Sequence, residues 1–258
     1  MKEKILKKYN MIFALLISFA MLFISSIFSW DENPVMGIDK ACADILIIFT
    51  CILLIRKLNL WENAGFKKEG FLKGIKYGIP FLIIGVLSVI FSNAGTNISS
   101  LKFISLRNML IFTFNMILVG LNEEIWMRSL ILNIFLKKYE TSKKGVWKSI
   151  ILSAIVFGVI HIPNIMFINP ITLMVQVINA TSAGILFAVI FIKCRNIWSV
   201  AAIHGIVDWL SLFVANCFIG GSSVLSISMS ISQAVMVIFL GSFPPLIIAW
   251  LYLRKYKS

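Results

Sequence analysis

The chain has 258 residues, of which 59% are hydrophobic and only 14% are charged, and its mean hydropathy is +0.94. A soluble domain carries about 25% charged residues, and a membrane β-barrel shows short segments of alternating polarity, so the composition argues against both classes. The net charge of +13 does not indicate nucleic-acid binding, because the basic residues lie between long apolar runs. The sequence therefore predicts an all-α, polytopic transmembrane helical bundle.

Hydropathy along the chain predicts about eight spans in a single membrane domain over residues 1–258. In chain order they lie near residues 10–30, 41–55, 72–91, 107–135, 147–162, 171–193, 197–217 and 229–252. A helix needs about 20 residues to cross a bilayer, so the second and fifth runs are short for a crossing. The first run is longer than the apolar core of a signal peptide and ends without a small-residue cleavage site, which predicts an uncleaved span.

The loops between these runs alternate in charge. Lysine and arginine are concentrated in the N-terminal tail, in the loops at 56–71 and 136–146, in the turn after residue 192 and at the C-terminus, whereas the intervening loops carry few basic residues. Cytoplasmic loops of membrane proteins carry the excess of basic residues. The pattern therefore predicts that both termini are cytoplasmic and that the number of spans is even.

Six ionisable residues lie within the predicted spans of the second half of the chain. They are Glu123, Glu124, Arg128, His161, His204 and Asp208, and they include the only two histidines of the protein. A charge at the bilayer centre costs about 2.5–3.5 kcal/mol on insertion scales, so such residues are functional candidates. Counting ~1.5 Å per helical residue from the cytoplasmic ends places Glu123, His161 and Asp208 at about the same depth.

Two pairs in this set share a helix face. Glu124 and Arg128 are four residues apart, where a carboxylate and a guanidinium can form an ion pair, and His204 and Asp208 have the same spacing. Each pair taken alone is also compatible with a structural contact between helices. Asp44 is embedded as well, in the second predicted span, and the sequence shows no partner for it.

The residue types favour hydrolysis by an activated water molecule. A carboxylate beside a neutral imidazole can take a proton from water, and a second imidazole can donate a hydrogen bond to the oxyanion that forms. A zinc ion held by Glu123, His161 and His204 is an open alternative, in which the metal activates the water. The His-Glu-x-x-His pattern of zinc helices is absent from the sequence, so spacing alone does not signal a metal.

Three short motifs contain these residues. Residues 123–128 (EEIWMR) resemble an EExxxR motif, residues 157–161 (FGVIH) an FxxxH motif, and residues 204–208 (HGIVD) an HxxxN/D motif. In this order they resemble the motifs of the CPBP intramembrane proteases, which include the type II CAAX prenyl endopeptidases and the Abi, or bacteriocin-processing, proteins. The resemblance covers about residues 107–212, which are the expected catalytic core.

The resemblance implies a catalytic set and a supporting pair. The catalytic residues would be Glu123, His161, His204 and Asp208, and the supporting pair would be Glu124 and Arg128. Glu123 would act as the general base with His161, while His204 and Asp208 would stabilise the oxyanion. Asp208 occupies a position that is Asn in the CAAX enzymes, and an ionised Asp cannot donate a hydrogen bond. It would instead orient His204 or be protonated. Because the family is described both as metalloproteases and as metal-free glutamate enzymes, zinc stays open.

The expected function is hydrolysis of a peptide bond in a membrane-associated peptide or protein. The substrate would be a prenylated CAAX protein, or a peptide handled in bacteriocin maturation or self-immunity. The Ile-, Lys- and Asn-rich composition is typical of an AT-rich bacterial genome and therefore predicts a bacterial cell membrane. It favours the bacteriocin-related peptide over the prenylated protein as substrate. Two other classes stay open: a non-catalytic bacteriocin-immunity or peptide-binding membrane protein, and a proton-coupled transporter, although no repeated halves are visible. The sequence does not indicate an oligomeric state.

Overall fold

The structure is a computed structural model that describes residues 9–28, 36–226 and 228–254. The longer helices are α1 (Asn10–Phe28), α2 (Ile38–Lys57), α3 (Phe71–Ser92), α4 (Leu106–Glu124), a π-helical segment (Ile125–Leu132), α5 (Asn133–Tyr139), α6 (Lys143–Val159), α7 (Pro170–Cys194), α8 (Ile197–Cys217) and α9 (Ile231–Arg254). Short 3-10 turns lie at Trp61–Asn63, Ile98–Ser100 and Ile162–Met166. Strands β1 (Lys102–Phe103) and β2 (Phe218–Ile219) pair antiparallel and join the loop before α4 to the end of α8.

The predicted all-α, multi-pass architecture is confirmed. Among the described residues, seven helical segments are long and apolar enough to cross a membrane. The second predicted span falls on α2, whose charged residues at both ends and at Asp44 set it apart from those seven. Residues 1–8 and 255–258 lie outside the described residues, and the cytoplasmic position of the termini stays a prediction.

Polar caps define where four helices of the second half begin. Ser105, Ser142, Asn169 and Asn196 precede α4, α6, α7 and α8, and each side-chain oxygen accepts a hydrogen bond from the backbone N–H three residues later. Such a cap satisfies a helical N–H that has no partner within the helix and contributes about 1 kcal/mol. The starts of the helices that carry the candidate site are therefore set locally by the sequence.

Helices α4 and α8 cross closely because each has a glycine at the crossing. A Cβ added to Gly120 would lie 2.8 Å from the backbone nitrogen of Gly205, and one added to Gly205 would lie 2.8 Å from the carbonyl oxygen of Met116. Small residues allow membrane helices to approach at the backbone. Gly120 lies one turn before Glu124. Gly205 directly follows His204, so the crossing brings this histidine beside that carboxylate.

The helix that begins at α4 changes its winding within the membrane. The sequence predicts one span over 107–135, and Leu106–Tyr139 is indeed one candidate span. Within it, however, Ile125–Leu132 is π-helical, and all eight of its residues are buried. Segments of π-helix are rare and are often found at functional sites. Hydropathy carries no signal for this change, because it depends only on the side chains, and these are the same in either winding.

Side chains satisfy the backbone carbonyls of this π-helical segment. Ser153 on α6 donates a hydrogen bond to the carbonyl of Met127, at 3.3 Å. The Asn133 side-chain amide donates to the carbonyls of Arg128 and Ser129, at 3.1 and 3.0 Å. A buried carbonyl without a partner would cost about 1–3 kcal/mol. These donors therefore help to hold the segment in its wider winding.

Candidate active site

Three parts of the bundle carry the six predicted site residues. The end of α4 with the π-helical segment carries Glu123, Glu124 and Arg128, the turn after α6 carries His161, and α8 carries His204 and Asp208. The α4–α8 crossing brings the first and third groups into contact. The ring of Phe157, which contacts both His161 and His204, links the second group to the third.

Glu124 lies at the centre of the buried part of the site. Its side chain is fully buried, and that of Arg128 is 1% exposed. Glu124 Oε2 lies 3.0 Å from Arg128 Nε, and Glu124 Oε1 accepts a hydrogen bond from His204 Nδ1 at 2.7 Å. A buried ion pair is favourable only where further hydrogen bonds satisfy its atoms. Glu124 orients the histidine by a hydrogen bond to Oε1, and its Oε2 forms the ion pair with Arg128 by proximity, without an aligned hydrogen bond among the described residues.

Two phenyl rings enclose the buried guanidinium. Arg128 Cζ lies 4.6 Å from the ring centre of Phe157 and 5.4 Å from that of Phe187. The Phe187 ring also stacks on His204 at 4.9 Å, and the edge of Phe157 meets His161 at 5.1 Å. Cation–π contacts contribute about 2 kcal/mol when they are desolvated. The phenylalanine of the FxxxH motif thus contacts both the arginine and a histidine of the site.

Phe187 was not predicted as a site residue. It lies in the buried stretch of α7, where a phenylalanine among other apolar residues gives no motif and no change in hydropathy. It packs against Phe81 of α3 on one side and against His204 on the other. Only the packing of α7 against α8 reveals that this ring helps to hold the imidazole.

Glu123 differs from its neighbour in accessibility. Its side chain is 21% exposed, and its Oε2 lies 3.7 Å from His204 Nε2. This oxygen accepts no hydrogen bond from the residues that the structure describes. Asp208 is 32% exposed, and its Oδ2 lies 3.2 Å from the same nitrogen. Two partly exposed carboxylate side chains therefore approach the same imidazole nitrogen.

The two ring nitrogens of His204 have different partners. Nδ1 donates to Glu124, because an ionised carboxylate only accepts hydrogen bonds. Nε2 is then free to donate to Asp208 when the ring carries both protons. In that state His204 is a cation among three carboxylates. The contact favours the first of the two roles that the sequence left open for Asp208, which is to orient His204.

The tautomer of His161 follows from its hydrogen bond. Its Nδ1 lies 2.8 Å from the carbonyl oxygen of Phe157, one helical turn earlier. A carbonyl oxygen can only accept, so Nδ1 carries the proton and the neutral ring keeps its lone pair on Nε2. His161 is half-buried and interacts electrostatically with Glu123. The ring is therefore prepared to accept a proton at Nε2 close to that carboxylate.

The predicted zinc ligands do not fit a metal as they are arranged. Over residues 9–28, 36–226 and 228–254, no three His, Cys, Asp or Glu side chains converge as metal ligands. The imidazole of His204 is engaged at Nδ1 by Glu124 and faces Asp208 through Nε2. No chemical step is therefore derived through zinc. The assignment of Glu123, His161 and His204 as zinc ligands stays a prediction.

Comparison with known proteins supports the interpretation of the motifs. Residues 105–210 match the model of a family described as type II CAAX prenyl endopeptidase Rce1-like. The matched segment contains all three motifs and confirms their resemblance to CAAX-type intramembrane proteases. No curated protein and no solved structure matches the chain significantly. The protein is thus an integral, multi-pass membrane protein with a segment that is similar to the type II CAAX prenyl endopeptidases.

Proposed function

We propose that the protein is an intramembrane endopeptidase that hydrolyses a peptide bond of a membrane-associated peptide or protein. The observation that carries this proposal is the asymmetry of the two adjacent glutamates. The Glu124 side chain is fully buried and lies against both Arg128 and His204, whereas the Glu123 side chain is 21% exposed and its Oε2, 3.7 Å from His204 Nε2, accepts no hydrogen bond from the described residues. The match of residues 105–210 to a protease family supports the same reaction.

In the proposed mechanism, Glu123 and His161 share the proton of a water molecule. The carboxylate takes the proton, and the lone pair on His161 Nε2 provides a second acceptor beside it. The water oxygen forms a bond to the peptide carbonyl carbon, and the carbonyl oxygen becomes an oxyanion. The proton is then transferred to the leaving nitrogen as the C–N bond breaks, which releases an acid and an amine.

His204 is the proposed donor to the oxyanion. Its Nε2 faces the partly exposed side chains of Glu123 and Asp208, while Nδ1 donates to Glu124 and the ring stacks on Phe187. A donor that is already oriented stabilises developing charge without reorganisation during the reaction. Asp208 accepts from the same nitrogen before substrate binds and therefore orients the ring. Its role is positional in this proposal.

The proposed substrate is a membrane peptide of a bacterial cell, handled in bacteriocin maturation or self-immunity. The Ile-, Lys- and Asn-rich composition supports a bacterial membrane, where a prenylated substrate is not expected. The basic loops that alternate with non-basic ones support the cytoplasmic termini of such a protein. A panel that includes a farnesylated CAAX peptide beside unmodified membrane peptides separates the two substrate classes.

The test is cleavage of a quenched peptide panel by the purified protein in detergent. Glu123→Gln and His161→Ala are the site variants, and Glu69→Gln, which changes an exposed carboxylate in the loop before α3, is the matched control. We expect loss of at least about 10²-fold for Glu123→Gln and no change for Glu69→Gln. A strong chelator added in parallel measures the metal dependence.

If the folded protein cleaves nothing and the host phenotype is unchanged by Glu123→Gln, the proposal that the protein is a catalyst is wrong. The protein would then belong to the class of non-catalytic immunity or peptide-binding proteins. A transporter would show a changed pH dependence of uptake in Glu123→Gln instead of a loss of cleavage. Inhibition by the chelator, reversed by added zinc, would restore the metal assignment.

A further inference from the structure

A second ionic group lies beside the site, on an element that carries none of the motifs. Asp44 of α2 is fully buried, and both of its oxygens accept hydrogen bonds from Lys40, one turn earlier. The side chain of Lys40 is 20% exposed. Both residues lie outside the matched segment 105–210. The sequence showed no partner for Asp44, and the structure identifies its partners.

This group contacts α4 at the residue before Glu123. The Asn122 side-chain amide donates to Asp44 Oδ1 at 2.7 Å, over a separation of 78 residues in the chain. The other end of the same amide, its Oδ1, is buried and has no partner among the described residues. Lys40 itself interacts electrostatically with Glu123. One hydrogen bond from α2 therefore reaches the residue next to the proposed general base, and it places the Asp44–Lys40 pair beside the last turn of α4.

Local helix stability does not explain this arrangement. Lys40 lies in the first turn of α2, where the helix dipole disfavours a cation. Asp44 is buried, and taking a carboxylate out of water is unfavourable unless it is paired and hydrogen-bonded. Lys40 compensates Asp44, and Asp44 in turn holds Lys40 and Asn122 in place. The part of the site that this pair contacts, through Asn122, is the last turn of α4, which carries Glu123.

We propose that Lys40 and Asp44 are positioning residues for Glu123. In this proposal, which rests on the proposed function, Asp44 fixes the last turn of α4 through Asn122. It also holds the Lys40 ammonium, through both of its oxygens, beside the turn of α4 that carries Glu123. His161, His204 and Asp208 are the other titratable groups that interact with this carboxylate. Lys40 adds an ammonium group from a different helix, α2.

The first test separates positioning from structure by kinetics. The variants are Lys40→Met, Lys40→Arg and Asp44→Asn, and Lys102→Met, an exposed lysine in β1, is the matched control. With a peptide that the wild type cleaves, Lys40→Met and Asp44→Asn should lower kcat by about 10–100-fold and leave KM nearly unchanged, because a misplaced catalytic group affects the reaction more than substrate binding. Lys40→Arg should retain most of the activity, and Lys102→Met should retain all of it.

An equal loss in Lys40→Met and Lys40→Arg would overturn the proposal, as would unchanged kcat in Lys40→Met. A rise in KM alone would also overturn it, since that result indicates a contact with substrate. Asp44→Asn retains the size of the side chain and its ability to accept from Asn122, so it remains informative if a larger change prevents folding. Size-exclusion profiles in detergent verify that each variant is folded.

The second test does not depend on turnover. The thermal midpoint Tm of Lys40→Met is compared with that of the wild type, and the same change is repeated in the Glu123→Gln background. If Lys40 acts on the Glu123 charge, the Lys40→Met substitution should lower Tm more in the protein that has Glu123 than in the Glu123→Gln background. An equal decrease of Tm in the two backgrounds would show that Lys40 is not coupled to Glu123 and would overturn this part of the proposal. If the decrements differ but the wild type cleaves nothing, the proposed function fails and the positioning role fails with it, while the electrostatic contact stands.

Discussion

The periphery and the interior of the bundle follow different rules. In α1 and α3 only 17% and 22% of the residues in the most apolar stretch are buried within the protein, whereas 56% are buried in α7. The peripheral helices present large apolar side chains such as Phe19 and Leu72 to their surroundings. In α7, by contrast, the stretch from Leu186 to Ile192 is buried throughout. A peripheral helix needs only apolar side chains, whereas the side chains of an interior helix must also fit those of the helices packed against it.

The difference matters because lipid is as apolar as leucine. Between helices in a bilayer there is no hydrophobic driving force, so packing and polar contacts determine which faces meet. All the charged residues of the candidate site lie on α4, α8 and the segments that follow α4 and α6. We therefore expect substitutions in the interior to alter stability strongly and those on peripheral faces to alter it little.

The largest loss of stability, measured as the free energy of unfolding, is expected for Arg128→Met. Methionine has nearly the length of arginine but no charge, so Glu124 would be left buried without its cation. Removing one partner of a buried ion pair costs about 3–5 kcal/mol. The measurement is equilibrium unfolding in mixed detergent and SDS micelles. Arg128→Lys should be intermediate, because it keeps the charge but loses the planar group between Phe157 and Phe187.

The double variant Glu124→Gln/Arg128→Met provides the control for this prediction. It removes both charges, so it should be more stable than Arg128→Met alone. If Arg128→Met lowered the free energy of unfolding by less than about 1 kcal/mol, the contrast drawn between interior and peripheral positions would be contradicted. That result would mean that Glu124 is neutralised by another group, for which His204 is the candidate in the structure.

The spans could be predicted because every one of them must cross the same apolar lipid bilayer. The sequence predicted 197–217 and the structure has Ile197–Cys217, and it predicted 171–193 where the structure has Pro170–Cys194. Crossing a bilayer requires about 20 apolar residues whatever lies beside the helix. The charged site residues were visible for the same reason, since an ion stands out in an apolar run.

The parts that could not be predicted depend on contacts between distant residues. Nothing in the two adjacent glutamates indicates which one is buried, because this depends on how α4 crosses α8. Phe187 has no motif, and the π-helical winding of Ile125–Leu132 has no signature in hydropathy. Asn122, one partner of Asp44, is 78 residues away on another helix, whereas the other partner, Lys40, is four residues away, a spacing that the sequence does show. Such features are properties of the interior, where neighbours rather than solvent determine the structure.

A smaller loss is expected for Asn133→Ala. The Asn133 amide donates to the carbonyls of Asn63, Arg128 and Ser129 at 3.0–3.1 Å. Alanine would leave these buried acceptors with fewer partners, at a cost of about 1–3 kcal/mol. The same unfolding measurement applies. Asn133→Asp is the informative control, because it keeps the shape but places acceptor oxygens against the carbonyls, and it should be the less stable of the two.

The smallest effect is expected for Ile83→Ala on α3. The Ile83 side chain is 55% exposed, whereas that of Ile190 on α7 is fully buried. Truncating Ile190 leaves a cavity and should cost about 2–5 kcal/mol. Truncating Ile83 leaves a space that lipid chains fill, so its unfolding free energy should change by less than about 0.5 kcal/mol. A loss at Ile83 close to that at Ile190 would contradict the peripheral assignment of this face. Because lipid cannot produce such a loss, it would show that a second protein surface covers α3, and cross-linking of single-cysteine variants at this face would then identify the contact.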